Sequence, residues 1–173
     1  MMAPAVRRLG LTAHIVAAVG WLGGVVAFLA LAVATLASRD PELVKAAYLA
    51  MRPLGWYVLL PLSMASLVTG TVQALGTAWG LARHYWVLFK LVINLLAAGV
   101  LLLYLRTLDQ LADRAVRAGA DELATLRDPS PVIHAAAAIL VLLAATILAV
   151  HKPRGTVPTR WRALRPRPAG DAD

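Results

Sequence analysis

The stretch from residue 9 to residue 37, LGLTAHIVAAVGWLGGVVAFLALAVATLA, decides the fold class of this chain. Only Thr12, His14 and Thr35 interrupt it with polar side chains. Because a helix rises about 1.5 Å per residue, a run of this length spans the roughly 30 Å hydrocarbon core of a bilayer. Signal peptides have apolar regions of only about 7–15 residues, so this run predicts a membrane-spanning helix although basic residues precede it.

The remaining apolar residues are concentrated in three further blocks, over 53–79, 83–105 and 132–150. Of the 173 residues, 60% are hydrophobic and 15% are charged, whereas soluble domains are about half apolar and about a quarter charged. A chain of this length could not hide four such blocks in one water-soluble core. The sequence therefore predicts an all-α, integral membrane four-helix bundle whose outer faces contact a lipid bilayer. The absence of cysteine excludes disulfides and thiolate metal sites.

The charged segments between the blocks contain further helical signals. Asp40, Pro41 and Glu42 are typical of a helix start, with a capping side chain, a proline in the first turn and an acid after it. We expect a short interfacial helix from there through about Met51. The polar segment after the third block keeps helical periodicity as far as Gly119, so the third helix is predicted to extend beyond the membrane and to end at that glycine.

Four spans place both ends of the membrane domain, predicted over 1–155, on one side of the bilayer. Of the 17 Lys and Arg residues, nine lie on that side and seven on the other. The positive-inside rule then predicts that both termini are cytoplasmic, in a protein of the cell membrane. Basic residues beside spans contact anionic headgroups, which accounts for the net charge of +8 without nucleic acid. The tail over 156–173, rich in Arg and Pro, is predicted to be disordered.

Polar side chains within the spans predict a functional site in the leaflet nearest the termini. His14 lies about a turn and a half into the first span, and Lys90 lies about two turns into the third. Gln73 lies about a turn and a half before the second span ends, and Asn94 is one turn deeper than Lys90. Such groups are costly in lipid unless they face the bundle interior, a cavity or a ligand. On the second span, polar and small residues share one face: Ser66, Thr69, Gly70, Gln73, Gly76 and Gly80.

Each of these polar residues also has a purely structural explanation. His14 could bond a backbone carbonyl or a Ser or Thr hydroxyl, and Lys90 could extend its long stem to the interface. Gln73 and Asn94 could simply join neighbouring helices. His134 has no second strong ligand at its depth. The coincidence of His, Lys, Gln and Asn at related depth favours a functional site over four separate structural roles.

Three segments together resemble a known family. They are HIVAAVGWLGG over 14–24, HYWVLFKLVINLLAAGVLLLYLR over 84–106 and ILAVHKPRG over 147–155. They resemble four-span bacterial membrane proteins of unknown function, a family distantly similar to CopD-type copper-resistance membrane domains and HemJ-type protoporphyrinogen oxidases. The first-helix His followed by Trp and Gly-Gly, with Lys in the WxxxKL stretch of the third helix, carries the resemblance.

The resemblance implies a site more than a reaction. In the HemJ-type proteins the first-helix His is the expected ligand of a b-type haem, and that position matches His14. The third-helix Lys, expected to be required for function, matches Lys90. In CopD-like proteins the implied cargo is copper, but this chain lacks their Met- and His-rich clusters.

Three functions follow as hypotheses. In a haem-binding redox protein, His14 is the metal ligand, and Lys90 is the catalytic candidate that pairs with propionates or with an anionic tetrapyrrole substrate. The other cofactor-binding candidates are Gln73, Arg83, His84 and Asn94. In a copper or proton transporter, His14 and Lys90 line a pathway, and so small a chain requires a homo-oligomer. In a structural subunit without a cofactor, the polar cluster holds the bundle together or supports binding to a membrane partner, such as a redox protein. The sequence does not decide whether the protein is an enzyme.

Overall fold

The structure, a computed structural model, describes residues 2–76 and 85–151. Within these ranges the chain is helical and contains no strand, which confirms the all-α prediction. The elements are α1 (Pro4–Ala37), α2 (Pro41–Pro53), a π-helical segment (Leu54–Leu59), α3 (Leu60–Gly76), α4 (Tyr85–Arg117), α5 (Ala120–Thr125) and α6 (Ser130–His151). The turn predicted around Gly80, the predicted start of the third span at Arg83, and the tail over 156–173 lie outside the described residues.

Four helical stretches of the described chain are long and apolar enough to cross a membrane: Pro4–Ala37, Pro41–Gly76, Val87–Arg117 and Ser130–His151. Their outward faces are strongly apolar, and the side chains of Leu9, Leu103 and Val150 are 72%, 72% and 71% exposed. Such continuous apolar surface is unstable in water, and a bilayer supplies the matching solvent. The predicted four-span membrane protein is therefore confirmed at the level of its class.

Helix α1 presents a regular inward face to the other helices. Ala17, Trp21, Val25 and Phe28 are buried at steps of three and four residues, the spacing of one helix face. Small residues on the same helix allow close approach. A methyl group built on Gly24 would lie 2.8 Å from a methyl of the Leu59 side chain, so a neighbouring leucine fills the space beside this glycine.

Helix α2 begins as predicted, because Asp40 Oδ1 accepts the backbone N–H of Glu42 at 3.0 Å. The sequence separated this interfacial helix from the second span at Pro53. The two instead form one continuous helical stretch, Pro41–Gly76. Pro53 has no N–H to donate, and the helix passes this position by widening into the π-helical segment Leu54–Leu59.

Helix α4 extends to Arg117, as predicted for the third helix, and its extension forms a layer with α2 and α5 at the end of the bundle opposite the termini. Tyr48 and Met51 of α2 are fully buried there, together with Leu105 and Leu108 of α4. Gly119 has extended backbone, with φ −74° and ψ 172°, and directly precedes α5. It therefore starts a short helix that the sequence did not reveal, and it is not a left-handed helix cap.

The loop before α6 stabilises the start of that helix. Asp128 Oδ1 accepts the N–H of Ser130 at 2.8 Å. The adjacent Arg127 donates from its guanidinium to the carbonyls of Leu36 and Ser38. These carbonyls are at the C-terminal end of α1, where a cation is favourable. The loop before α6 thus fastens the ends of two spans together.

Candidate functional site

His14 projects from α1 towards α3, where it is half-buried. Its Nδ1 lies 3.1 Å from the carbonyl oxygen of Ser66 and 3.1 Å from Thr69 Oγ1. The Thr69 hydroxyl itself donates to the carbonyl of Ala65 at 2.6 Å, so both neighbours of Nδ1 act as acceptors. The proton of the neutral imidazole is therefore assigned to Nδ1, and Nε2 keeps a free lone pair.

The His14 ring lies directly against the backbone of α3 at Gly70. A Cβ atom at position 70 would be 3.0 Å from His14 Cε1 and 3.7 Å from Nε2. Glycine is thus the residue that lets the ring approach so closely. The polar and small face predicted for the second span, at Ser66, Thr69 and Gly70, is the surface that holds this histidine.

Lys90 and Asn94 lie on α4, and both are half-buried. The ammonium group of Lys90 is near enough to act electrostatically on the His14 ring. Asn94 makes no hydrogen bond to another described residue. His14 and Lys90 thus lie on two different helices within electrostatic range of each other, and Asn94 lies one helical turn beyond Lys90 on α4.

Gln73 does not hydrogen-bond His14, as a role in orienting that ligand would require. Its Nε2 donates to the carbonyl of Arg7 at 2.9 Å, and it does not bond His14. A Cβ atom at Gly10 would lie 2.9 Å from the same amide nitrogen. Gln73 therefore joins the last turn of α3 to the first turns of α1. The other two cofactor-binding candidates, Arg83 and His84, lie outside the described residues.

A second polar cluster lies at the opposite end of the bundle, and sequence reasoning missed it. The rings of Tyr104 on α4 and His134 on α6 are stacked, with centroids 4.0 Å apart and planes inclined by 20°. His134 Nδ1 lies 2.8 Å from the Ser130 carbonyl oxygen. The sequence does place Tyr104 and His134 at the same end of antiparallel spans, which indicates that they could come close. His134 was assessed only as a metal ligand.

A third cluster joins the π-helical segment to α4. Arg52 Nε lies 2.9 Å from Asp109 Oδ1, and another nitrogen of the same guanidinium lies 3.3 Å from Asp113 Oδ1. Trp56 Nε1 donates to Asp109 Oδ1 at 3.1 Å. Asp109 and Asp113 are one helical turn apart in the sequence, a spacing that places both carboxylates on one helix face and indicates a basic partner. All these charges have partners, so the cluster acts as a clamp between elements.

No group of three or more His, Cys, Asp or Glu side chains that could hold a metal ion occurs in residues 2–76 and 85–151. A bare metal ion usually needs three or four protein ligands. A macrocyclic cofactor brings most of its own donors and needs one or two from the protein. The described part of the His14 region fits the second requirement.

Comparisons with protein-family models, with curated proteins and with solved structures find no match to this chain. The fold and the site define a class by themselves. The chain is a multi-pass, all-α integral membrane protein with a half-buried histidine on α1 and a half-buried lysine on α4.

Proposed function

We propose that this membrane protein binds a haem or a related tetrapyrrole, and that His14 Nε2 would hold its metal. The observation that carries the proposal is the arrangement around Nδ1, which donates to acceptors on α3. Metal-binding histidines almost always donate their other ring N–H to a carbonyl or a similar acceptor. That hydrogen bond fixes the tautomer and the direction of the ring, and leaves Nε2 free to bind a metal.

The chemistry of the donor set supports a macrocycle more than a bare metal ion. A porphyrin brings four nitrogen donors of its own, so a single imidazole from the chain, that of His14, would be enough to hold it. The chain contains no cysteine, so it cannot attach haem through thioethers, and a b-type haem is the form that fits. When bound, such a group supplies one-electron redox chemistry tuned by its axial ligand.

Lys90 supplies the positive charge that an anionic ligand needs. It lies within electrostatic range of His14 and reaches this position from a different helix. In the low-dielectric interior of a bundle, an ion pair with a propionate is stronger than it is in water. Lys90 therefore binds and orients the carboxylate edge of the tetrapyrrole, and the half-buried amide of Asn94 adds a hydrogen-bonding group one turn deeper.

The decisive experiment is an absorption spectrum of the detergent-purified protein after expression in haem-replete cells. The wild type is expected to show a Soret band, and His14→Ala is expected to lose it. His151→Ala is the matched control, because His151 is an exposed histidine in the last turn of α6 and, among the described residues, bonds the carbonyl of Ile147. It should retain the wild-type spectrum. Lys90→Met should still bind haem through His14, but it should lose the haem faster on dilution.

Two outcomes contradict the proposal. One is a wild-type protein without a Soret band despite haem-replete expression. The other is a His14→Ala spectrum equal to that of the wild type. A purely structural role for His14 predicts a lower unfolding temperature for His14→Ala with no change in any bound chromophore, so the two measurements are made together.

A further inference from the structure

A groove opens between α4 and α6 at the end of the bundle opposite His14. It has a volume of about 290 Å³ and is lined by Val100, Leu103, Tyr104, Thr107, Ser130 and His134. Small-molecule sites usually measure about 300–1,000 Å³, so this groove has room for a single ring system and not for a macrocycle. Val100 and Leu103 are exposed on the apolar outer surface, so a ligand can enter it from the lipid.

Two polar groups in the groove have defined hydrogen-bonding directions. His134 Nδ1 lies 2.8 Å from the Ser130 carbonyl oxygen, which can only accept. The neutral imidazole therefore carries its proton on Nδ1 and offers Nε2 as an acceptor. Ser130 Oγ donates to the Tyr104 hydroxyl at 3.3 Å, which leaves the phenolic hydrogen of Tyr104 available for a ligand. One acceptor and one donor thus stand side by side.

The charges around the groove select against an anionic ligand. None of its lining residues is a lysine, arginine, aspartate or glutamate. The carboxylate of Asp128 is close by, since it accepts the N–H of Ser130 at 2.8 Å. A phosphate or carboxylate headgroup would find no cation here and would be repelled by this aspartate. The aromatic and apolar lining without a Lys, Arg, Asp or Glu side chain favours a flat, neutral ligand.

We propose that this groove binds the ring of a membrane-soluble quinol. His134 Nε2 accepts a hydrogen bond from one ring hydroxyl, and the Tyr104 hydroxyl donates to a ring oxygen. The hydrocarbon tail of the quinol lies among the lipid chains beside α4 and α6. The proposal does not depend on what His14 binds, because the two sites are at opposite ends of the bundle.

The test compares two ligands that differ only in their hydroxyl groups. Decylubiquinol and its 1,4-dimethyl ether are titrated anaerobically into the full-length protein in lipid nanodiscs, and binding is measured by calorimetry. Because the ether has no hydroxyl to donate to His134, the wild type should bind the quinol about 3–10-fold more tightly. In His134→Phe, which keeps an aromatic ring beside Tyr104, the quinol should bind as weakly as the ether.

His151→Phe is the matched control, because His151 bonds the Ile147 carbonyl in the same intrahelical manner but lies at the other end of α6. It should keep the wild-type preference for the quinol. Tyr104→Phe removes one hydroxyl and should weaken quinol binding several-fold. It provides the measurement if His134→Phe does not fold, as judged by helical circular dichroism and gel filtration.

Three results overturn the proposal. The first is equal affinity of the wild type for the quinol and the ether. The second is an unchanged quinol preference in His134→Phe or, if that variant does not fold, an unchanged quinol affinity in Tyr104→Phe. The third is displacement of the quinol by an equal concentration of oleic acid, which would identify the groove as a general contact with lipid chains.

Discussion

Gly70 determines where the His14 ring can lie. The ring occupies space that any larger residue at position 70 would take, and it keeps Nδ1 beside Ser66 and Thr69. A glycine in a helix interior costs about 0.5–1 kcal/mol relative to alanine, so its use here has a packing reason. The position of the imidazole thus depends on glycine at position 70 as much as on His14 itself.

Replacing Gly70 tests this dependence. Gly70→Leu should lower the free energy of unfolding by about 1–3 kcal/mol, because the new side chain must displace the imidazole or push α1 away from α3. Gly23→Leu on α1 is the control, since nothing lies within 4 Å of a Cβ at that position. It should change stability by no more than about 0.5 kcal/mol. Unfolding curves in mixed micelles measure both, and equal stabilities would contradict the packing argument.

At the scale of elements, the Pro41–Gly76 stretch combines a surface helix and a span in one continuous helix. Its continuity depends on the π-helical segment Leu54–Leu59, where the backbone passes a proline. The clamp of Arg52, Trp56 and Asp109 lies beside this segment and connects it to the extension of α4. The clamp thus holds the least regular part of the helix against a long neighbour.

A double-mutant cycle measures the clamp. The side chains of Arg52 and Asp109 are 47% and 29% exposed. Solvent therefore screens their ion pair, and we expect a coupling of about 0.5–1 kcal/mol between Arg52→Gln and Asp109→Asn. Raising the salt concentration to about 1 M should reduce this coupling, because the Debye length falls to about 3 Å. Arg117→Gln, at an exposed position on α4 about two helical turns beyond Asp109, should show no coupling with Asp109→Asn. Zero coupling at low salt would contradict the claim that this ion pair stabilises the clamp.

At the scale of the whole molecule, the two sides of the bundle carry different charge. Counted from the sequence alone, nine of the flanking Lys and Arg residues and two of the nine Asp and Glu residues are predicted on the side of the termini. The opposite side has seven basic and seven acidic residues, and some of these form the Arg52 clamp. The excess of positive charge beside the termini favours their location in the cytoplasm.

Single cysteines test this topology directly, because the chain has no native cysteine. Ala3→Cys and His151→Cys should both be protected from a membrane-impermeant maleimide in intact cells, and Ala120→Cys should be labelled. After permeabilisation, all three should react. Labelling of Ala3→Cys and His151→Cys from opposite sides would contradict the four-span arrangement, whereas labelling of both in intact cells would reverse only the orientation.

The prediction of elements succeeded where the signal was local. The four apolar runs and the extension of the third helix are confirmed. The cap at Asp40 is present as well. The break expected at Pro53 is absent, because a proline removes one hydrogen bond but a π-helical turn with tertiary support can absorb the loss. The short helix α5 was missed, since six residues carry too little periodicity to identify.

The sequence by itself determined that this protein crosses a membrane four times, because hydrophobic length is a property of each segment alone. It also predicts the approximate depth of His14 and Lys90, since depth follows from position along a span. Only the tertiary structure decided which groups meet. The partners of His14 Nδ1 are 52 and 55 residues away, Gln73 bonds Arg7, and Tyr104 stacks on His134. These contacts depend on how each helix is rotated and how closely small residues such as Gly70 let two helices approach, and no single segment contains that information.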